Sequence, residues 1–335
     1  MKKIYIYTVM FGMLCSFCAC NDEWKDELYT HLISLKAPIG NEGVADIYLR
    51  YKVDGEVIYD LPVLRSGSTL SDEALDVRIG VDNDTLGILN DEKYQYREDL
   101  YYHQLDEQFY EFLSPTCHMP AGSNKELFQI KFKFDGLDLS QEWVLPLTIQ
   151  DDPSYVANQR KGWRKALLHV LPFNDYSGQY SASAMNIYFA DSNNDPLVID
   201  KRQAHVVDEN TIFFYAGTKL ENAIDRSTYK IYVKFEKPVI AEDGTTKRGN
   251  LVVDAVYKDQ IKFEVIGQPT YEIREEKDAT QPYLLHRYFS LYMSYKYDDV
   301  TSVPGNPISY RAEGSMTMER KINILIPDED QAIMW

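Results

Sequence analysis

The side chains with the greatest capacity for chemistry are thinly spread along this chain. Its six histidines, His31, His103, His118, His169, His205 and His286, never fall at the close spacing that lets two imidazoles share a metal ion. No H-E-x-x-H pair, G-x-S-x-G elbow or glycine-rich phosphate loop occurs, which argues against zincin, α/β-hydrolase and P-loop chemistry. Cys117 precedes His118, but neighbours along a strand point to opposite faces, so the pair reads as structural rather than nucleophilic. Two acidic loops invite a calcium reading. Counted from Asp82, Asp82-Asn83-Asp84 puts Leu86 fifth and Lys93 twelfth. Asp191-Ser192-Asn193-Asn194-Asp195 puts Pro196 where a calcium loop needs glycine and Arg202 where it needs glutamate. Both read as turns. Asp259 to Glu264 and Glu272 to Glu276 read as solvated faces of an acidic protein. No catalytic residue, metal or cofactor is expected.

Aromatic side chains remain. Flat sugar C–H faces stack on Trp and Tyr while polar neighbours bond the hydroxyls. Trp163, set among Lys161, Arg164 and Lys165, is one candidate ligand contact. Tyr288 and Tyr292, which share a strand face with Ser290 and Ser294, are two more. Trp335 reads as a packing anchor for the last segment.

The N-terminus reads as an address. Lys2 and Lys3 precede a mostly apolar stretch from Ile4 to Ala19, 16 residues long. That is short for a membrane span, which takes about 20 residues, and fits a secretory signal. Ala19-Cys20 resembles a lipobox, with the Cys20 thiol as the acylated group; Phe17 and Cys18 depart from its usual pattern. The segment Asn21-Asp22-Glu23-Trp24-Lys25-Asp26-Glu27 resembles the surface-export signal of Bacteroidetes lipoproteins. Expected localisation is therefore the outer membrane, lipid-anchored and facing the exterior. Loss of residues 1–19 removes two lysines and takes the net charge from −17 to −19. Such a surface repels phosphate backbones, so nucleic acid is not an expected partner. Only Cys117 then remains as a free thiol, and no internal disulfide is possible.

The elements that must position these residues are strands. Period-two alternation runs through Ile130–Phe134, Tyr229–Phe235, Ile261–Val265, Phe289–Tyr297 and Met316–Ile326, with Arg320 as one charged interruption. These read as half-buried antiparallel strands separated by Asp54-Gly55, Asp135-Gly136, Asp243-Gly244 and Pro304-Gly305-Asn306-Pro307. Short helices are expected near residues 71–76, 88–93 and 105–113. A strand from Lys165 to Leu171 ending at Pro172 marks a boundary. The expected division is a signal peptide at 1–19, a lipidated acidic tether at 20–29, a β-sandwich at 30–172 and a second β domain at 173–335.

The order of features in the first half carries a family resemblance. It runs from Leu75-Asp76-Val77-Arg78-Ile79-Gly80-Val81-Asp82 through the Tyr-rich Tyr94–Tyr102 and Phe109-Tyr110-Glu111-Phe112-Leu113. Met119-Pro120-Ala121-Gly122-Ser123, Gly136-Leu137-Asp138 and Trp143-Val144-Leu145-Pro146-Leu147-Thr148-Ile149 follow. This resembles the N-terminal β-sandwich of Bacteroidetes surface lipoproteins from Sus-like glycan-utilisation loci, a domain also found ahead of some family-18 endoglycosidases. The second half, with Tyr176-Ser177-Gly178-Gln179-Tyr180 and Thr211-Ile212-Phe213-Phe214-Tyr215-Ala216-Gly217, is similar to the C-terminal, lipocalin-like β domain of non-enzymatic members. The resemblance implies an all-β chain, a sandwich followed by an antiparallel barrel or second sandwich. It also implies a glycan-binding partner of a SusC/SusD-type transporter or neighbouring glycosidase. It names no ligand residue. The family-18 D-x-x-D-x-D-x-E run is missing. The rival expectations are a protein-binding scaffold or adhesin subunit and, behind it, a glycosidase.

Overall fold

The computed structural model describes residues 27–38, 40, 42–190, 192 and 195–327. Cys20, Trp335 and most of the Asp191–Asp195 loop lie outside them. In the first half, two sheets face each other. One has the order β11 (Val156–Ala157), β1 (Leu32–Leu35), β3 (Glu56–Arg65), β9 (Lys125–Lys133), β7 (Tyr110–Phe112). The other has the order β2 (Ala45–Arg50), β12 (Lys165–Phe173), β10 (Trp143–Ile149), β5 (Ile79–Val81), with β6 (His103–Gln104) also on β10. A short ladder of β4 (Leu75–Val77) and β8 (Cys117–Met119) stands beside them. Alternation explains the packing. Phe128, Ile130 and Phe132 turn inward to meet Leu145, Leu147 and Leu168 from the opposite sheet, while Lys131 and Lys133 stay outside. Cys117 belongs to this core, and burial pushes its thiol up to about 11. His118 faces outward and pairs with Asp76 at 2.8 Å, so no thiolate–imidazole pair forms.

The second sheet is buried on both faces. Its outer side is covered by α1 (Thr85–Tyr94) and the Tyr-rich segment after it, where Leu86 and Tyr102 pack on Val144 and Leu167. Asn90 fixes that cover, because its side chain donates to the Tyr102 carbonyl at 2.8 Å and accepts from the Tyr102 amide at 2.9 Å.

Several expectations need correction. The helix expected at 88–93 extends to Thr85–Tyr94, but 71–76 is a bend leading into β4. The stretch 105–113 holds one 3-10 turn at Glu107–Phe109 followed by β7. Leu75 and Leu105 enter the sandwich singly, which needs no helical stripe. β12 does not stop at Pro172. Its pairing with β10 ends at Val170, so beyond that the missing proline N–H interrupts no ladder, and pairing with β2 carries the strand to Phe173. The β2–β12, β1–β11 and β6–β10 pairs are parallel. Ile261 and Phe263 are buried but sit in a turn, with Lys262 at φ +45°, and only Glu264–Val265 forms a strand. Ile324 and Ile326 lie past the last strand and are exposed.

The second half is a closed, eight-stranded antiparallel barrel. The strands β13 (Gly178–Phe189), β15 (Lys201–Asp208), β16 (Thr211–Tyr215), β17 (Lys230–Phe235), β19 (Lys247–Ala255), β21 (Thr270–Lys277), β22 (Leu284–Asp299) and β23 (Ile308–Asn323) pair in turn, and β23 returns to β13. The short strands β14 (Leu197–Val198), β18 (Val239–Ile240) and β20 (Glu264–Val265) lie against β13, β19 and β22. Of the two architectures expected, the up-and-down barrel is the one formed. Unlike a barrel built to enclose a ligand, its interior is filled by side chains. Tyr180, Phe214, Ile231, Tyr271, Leu291 and Ala312 are all at most 1% exposed.

Closure at the last seam needs Gly314. It has φ +137°, and a Cβ there would lie 2.0 Å from the Ala184 carbonyl oxygen on β13, beside the bulge between Ser181 and Ala184. Gly314→Ala is expected to lower the unfolding free energy by about 2 kcal/mol, measured by urea denaturation. Gly136→Ala, with open space around its Cβ but φ +77°, should cost less.

Candidate functional site

The two halves are joined by four residues that hold each other in place. The Asn174 side chain donates to the carbonyls of Asp208 (2.7 Å) and Thr211 (3.2 Å) and accepts from the amides of Tyr176 and Ser177. Arg320, the charged interruption in β23, points inward at the barrel end and donates to the carbonyls of Asn174 (2.8 Å) and Ser177 (2.6 Å). Asp175 reaches back to Arg50 of the sandwich at 2.8 Å. Tyr176 stacks on Phe235 with ring centroids 3.7 Å apart.

This junction sets the loop Asp138–Trp143 of the sandwich against the outer face of β15, β16 and β17. Lys230 donates to Ser140 Oγ and lies over the Phe213 ring at 5.2 Å. His205 stacks on the other side of that cluster, 4.8 Å from Phe213. A second bridge runs from Arg226 to the Asp99 carbonyl (2.7 Å) and from Arg97 to the Asn222 carbonyl (2.7 Å). Between the bridges lies a cleft of three adjoining cavities of about 290, 320 and 280 Å³, each touching Gln141. Together they have the size of a small-ligand site. Tyr48, 40% exposed, and Trp143, which is partly buried against the sandwich core, line it, with Gln141, Glu142, Gln203 and His205 as its polar residues. The indole is fixed in place by donation from its Nε1 to the Asp138 carbonyl at 2.8 Å.

At the cleft floor His169 is buried between two carboxylates, 2.7 Å from both Asp46 and Glu142, with the Tyr102 ring edge-on at 5.2 Å. Burial works against the charged ring, but hydrogen bonding and charge from Glu142 and Asp46 outweigh it and hold His169 above the ordinary histidine value. By the same balance, burial raises Glu142 and His169 more than offsets it, leaving Glu142 low. Lys93 holds Glu42 low by hydrogen bonding and charge, and Arg97 pulls Asp99 down to about 2. Glu142, Glu42 and Asp99 are thus favoured as carboxylates, which accept hydrogen bonds.

A family model of a domain of unknown function, DUF4973, matches residues 24–153. A second model, for a C-terminal domain, matches residues 164–317. A protein of unknown function from Bacteroides ovatus is 44% identical; 91% of this chain and 100% of that one are covered, with a TM-score of 0.80. Another from Bacteroides ovatus is 34% identical over 90% of this chain and 96% of its own, with a TM-score of 0.80. The chain belongs to this two-domain Bacteroides family. Within the same range of similarity is an auxiliary nutrient binding protein from Bacteroides thetaiotaomicron, 33% identical over 90% of this chain and 100% of its own, with a TM-score of 0.75. The comparison with curated proteins gave no match.

In this family member the three aromatic residues singled out from sequence do not converge. Trp163 lies on α2 (Lys161–Arg164), partly buried, with the Lys36 ammonium 4.8 Å from its ring centre. It stands at the start of β12, whereas Phe173 at the other end lines the cleft, about 26 Å away at ~3.3 Å per residue. Tyr288 and Tyr292 point outward from β22, with Arg274 5.8 Å from the Tyr288 ring. In the barrel order β22 is four strands from β16 in either direction, on the far wall. The cleft is lined by Trp143, Tyr48, His169 and His205, which sequence reasoning did not select. Trp143 sat in a motif that carried the family resemblance. Nothing in the sequence paired His169 with Asp46 and Glu142, 123 and 27 positions away.

The His169 cluster makes a pH prediction. A raised folded-state value means stabilisation that is full below the ordinary 6.5 and lost as pH rises through the raised value. Glu142, held low, contributes above the ordinary 4.5 and loses that contribution as pH falls through its lowered value. Unfolding free energy should therefore decline as pH rises from 6.5, and His169→Gln should flatten that decline. Chemical denaturation across pH 5–9, with NMR titration of the ring, checks both.

Proposed function

We propose that this protein is a non-catalytic, cell-surface glycan-binding lipoprotein. In this reading it is anchored at the outer membrane through acylated Cys20, and it captures oligosaccharide in the interdomain cleft for a SusC/SusD-type uptake system or a neighbouring glycosidase. The observation that carries the reading is the cleft wall, which is lined by Tyr48 and a hydrogen-bonded, partly buried Trp143 together with Gln141, Glu142 and Gln203. Stacking supplies contact area at little entropic cost, and the surrounding acceptors and donors serve the hydroxyls. The family relative called an auxiliary nutrient binding protein supports a binding role. A lipid anchor would add effective concentration at the membrane without new contacts.

A glycan array probed with residues 21–335, covering host, plant and yeast glycans, tests this. A hit should weaken at least about tenfold in Trp143→Ala, the loss of about 1.4 kcal/mol that one stacked ring contributes. Trp163→Ala and Tyr292→Ala should leave the affinity unchanged. If instead Trp163→Ala abolishes binding while Trp143→Ala does not, the site lies at α2. A blank array from a protein that melts cooperatively favours the scaffold or adhesin reading, for which the adjacent Val239 and Ile240 on β18, both more than two-thirds exposed, are one apolar contact surface.

A further inference from the structure

A cleft's free charges decide whether it takes a charged or an uncharged sugar. Five carboxylates line this one, Glu42, Glu98, Asp99, Glu142 and Glu221, against two permanent cations, Arg226 and Lys230. Both cations are engaged. Arg226 donates to the Asp99 carbonyl at 2.7 Å and lies 3.5 Å from the Asp99 carboxylate. Lys230 is buried on Ser140 and lies 3.7 Å from Asp138. The histidines are engaged as well. His169 sits between Asp46 and Glu142, His205 is 2.8 Å from Glu221, and His103 faces the indole of Trp143 at 5.6 Å.

A carboxylate or sulfate on an incoming sugar would have to displace one of these partners. That would take a partner from Asp99, Asp138, Glu142 or Glu221 in a chain of net charge −17. A hydroxyl faces no such barrier. The Glu142 and Glu221 side chains are 49% and 44% exposed, and each keeps lone pairs beyond the one given to its histidine. A carboxylate backed by a base accepts sugar hydroxyls strongly.

We infer that the cleft selects neutral, hydroxyl-rich oligosaccharides and rejects uronic, sialylated and sulfated ones. The inference rests on the glycan-binding reading above. Its test is calorimetric titration of the purified protein with neutral galactan, mannan and xylan oligosaccharides beside oligogalacturonate, sialylated N-glycan and heparan sulfate oligosaccharides. A neutral probe should bind, with affinity little changed between low and high salt, and the anionic probes should bind at least about tenfold more weakly. Glu221→Gln, a change at an exposed position that removes one carboxylate and the ion-pair partner of His205, should narrow that gap. An anionic probe binding more tightly than every neutral one overturns the inference and leaves the glycan-binding reading standing. An unchanged gap in Glu221→Gln overturns the role given to ion pairing. Failure of every probe against a cooperatively folded protein overturns the glycan-binding reading itself.

Discussion

A cleft between two domains has a shape only while the domains keep their places, and here that rests on the hydrogen bonding of Asn174. Its amide, its side-chain carbonyl and its main-chain carbonyl are all committed, to β15 and β16, to its own turn and to Arg320. Buried groups of this kind cost about 1–3 kcal/mol each when a partner is removed, so the knot resists opening one bond at a time. Arg320 would be an anomaly inside an apolar barrel, but its guanidinium emerges at the barrel end where two main-chain oxygens wait for it. The charge thus ties the barrel to the linker, and Asp175 carries the tie on to Arg50 of the sandwich.

The two domains divide the physical work. The barrel interior is packed with aromatic and aliphatic side chains, so this domain acts as a solid wall. What it offers is its outer face, where Phe213, Tyr215 and His205 form an aromatic surface turned toward the sandwich. The sandwich supplies the opposing face through a loop and a tyrosine-rich cover that α1 and Asn90 hold against its second sheet. Neither domain holds the site alone.

The fold class was legible because strand alternation is local. Phe128, Ile130 and Phe132 announce an inward face without reference to any partner, and the same holds for Phe289, Leu291 and Met293. Helix expectations failed at 71–76 and 105–113, where isolated leucines imitate a helical stripe over a short window. The site was not legible because its parts come from Tyr48, the 94–102 segment, Trp143, His169, His205 and Arg226, brought together by sheet register and domain docking. Exposed aromatics on a strand, such as Tyr292, look alike in sequence whether they face a neighbouring domain or open water.

Both domains share a manner of completion. In the sandwich, β1 and β2 are held by the late strands β11 and β12 in parallel register; in the barrel, β13 is held by the final strand β23. Each domain therefore closes on itself through its first and last segments, a long-range pairing whose entropic cost comes before its reward. During synthesis the sandwich can be sealed only after residue 173 is available, and the barrel only after β23 has emerged. A chain interrupted within β23 is then an open sheet with unpaired edges on β13 and β22, a template for association with other chains rather than a slightly shortened barrel.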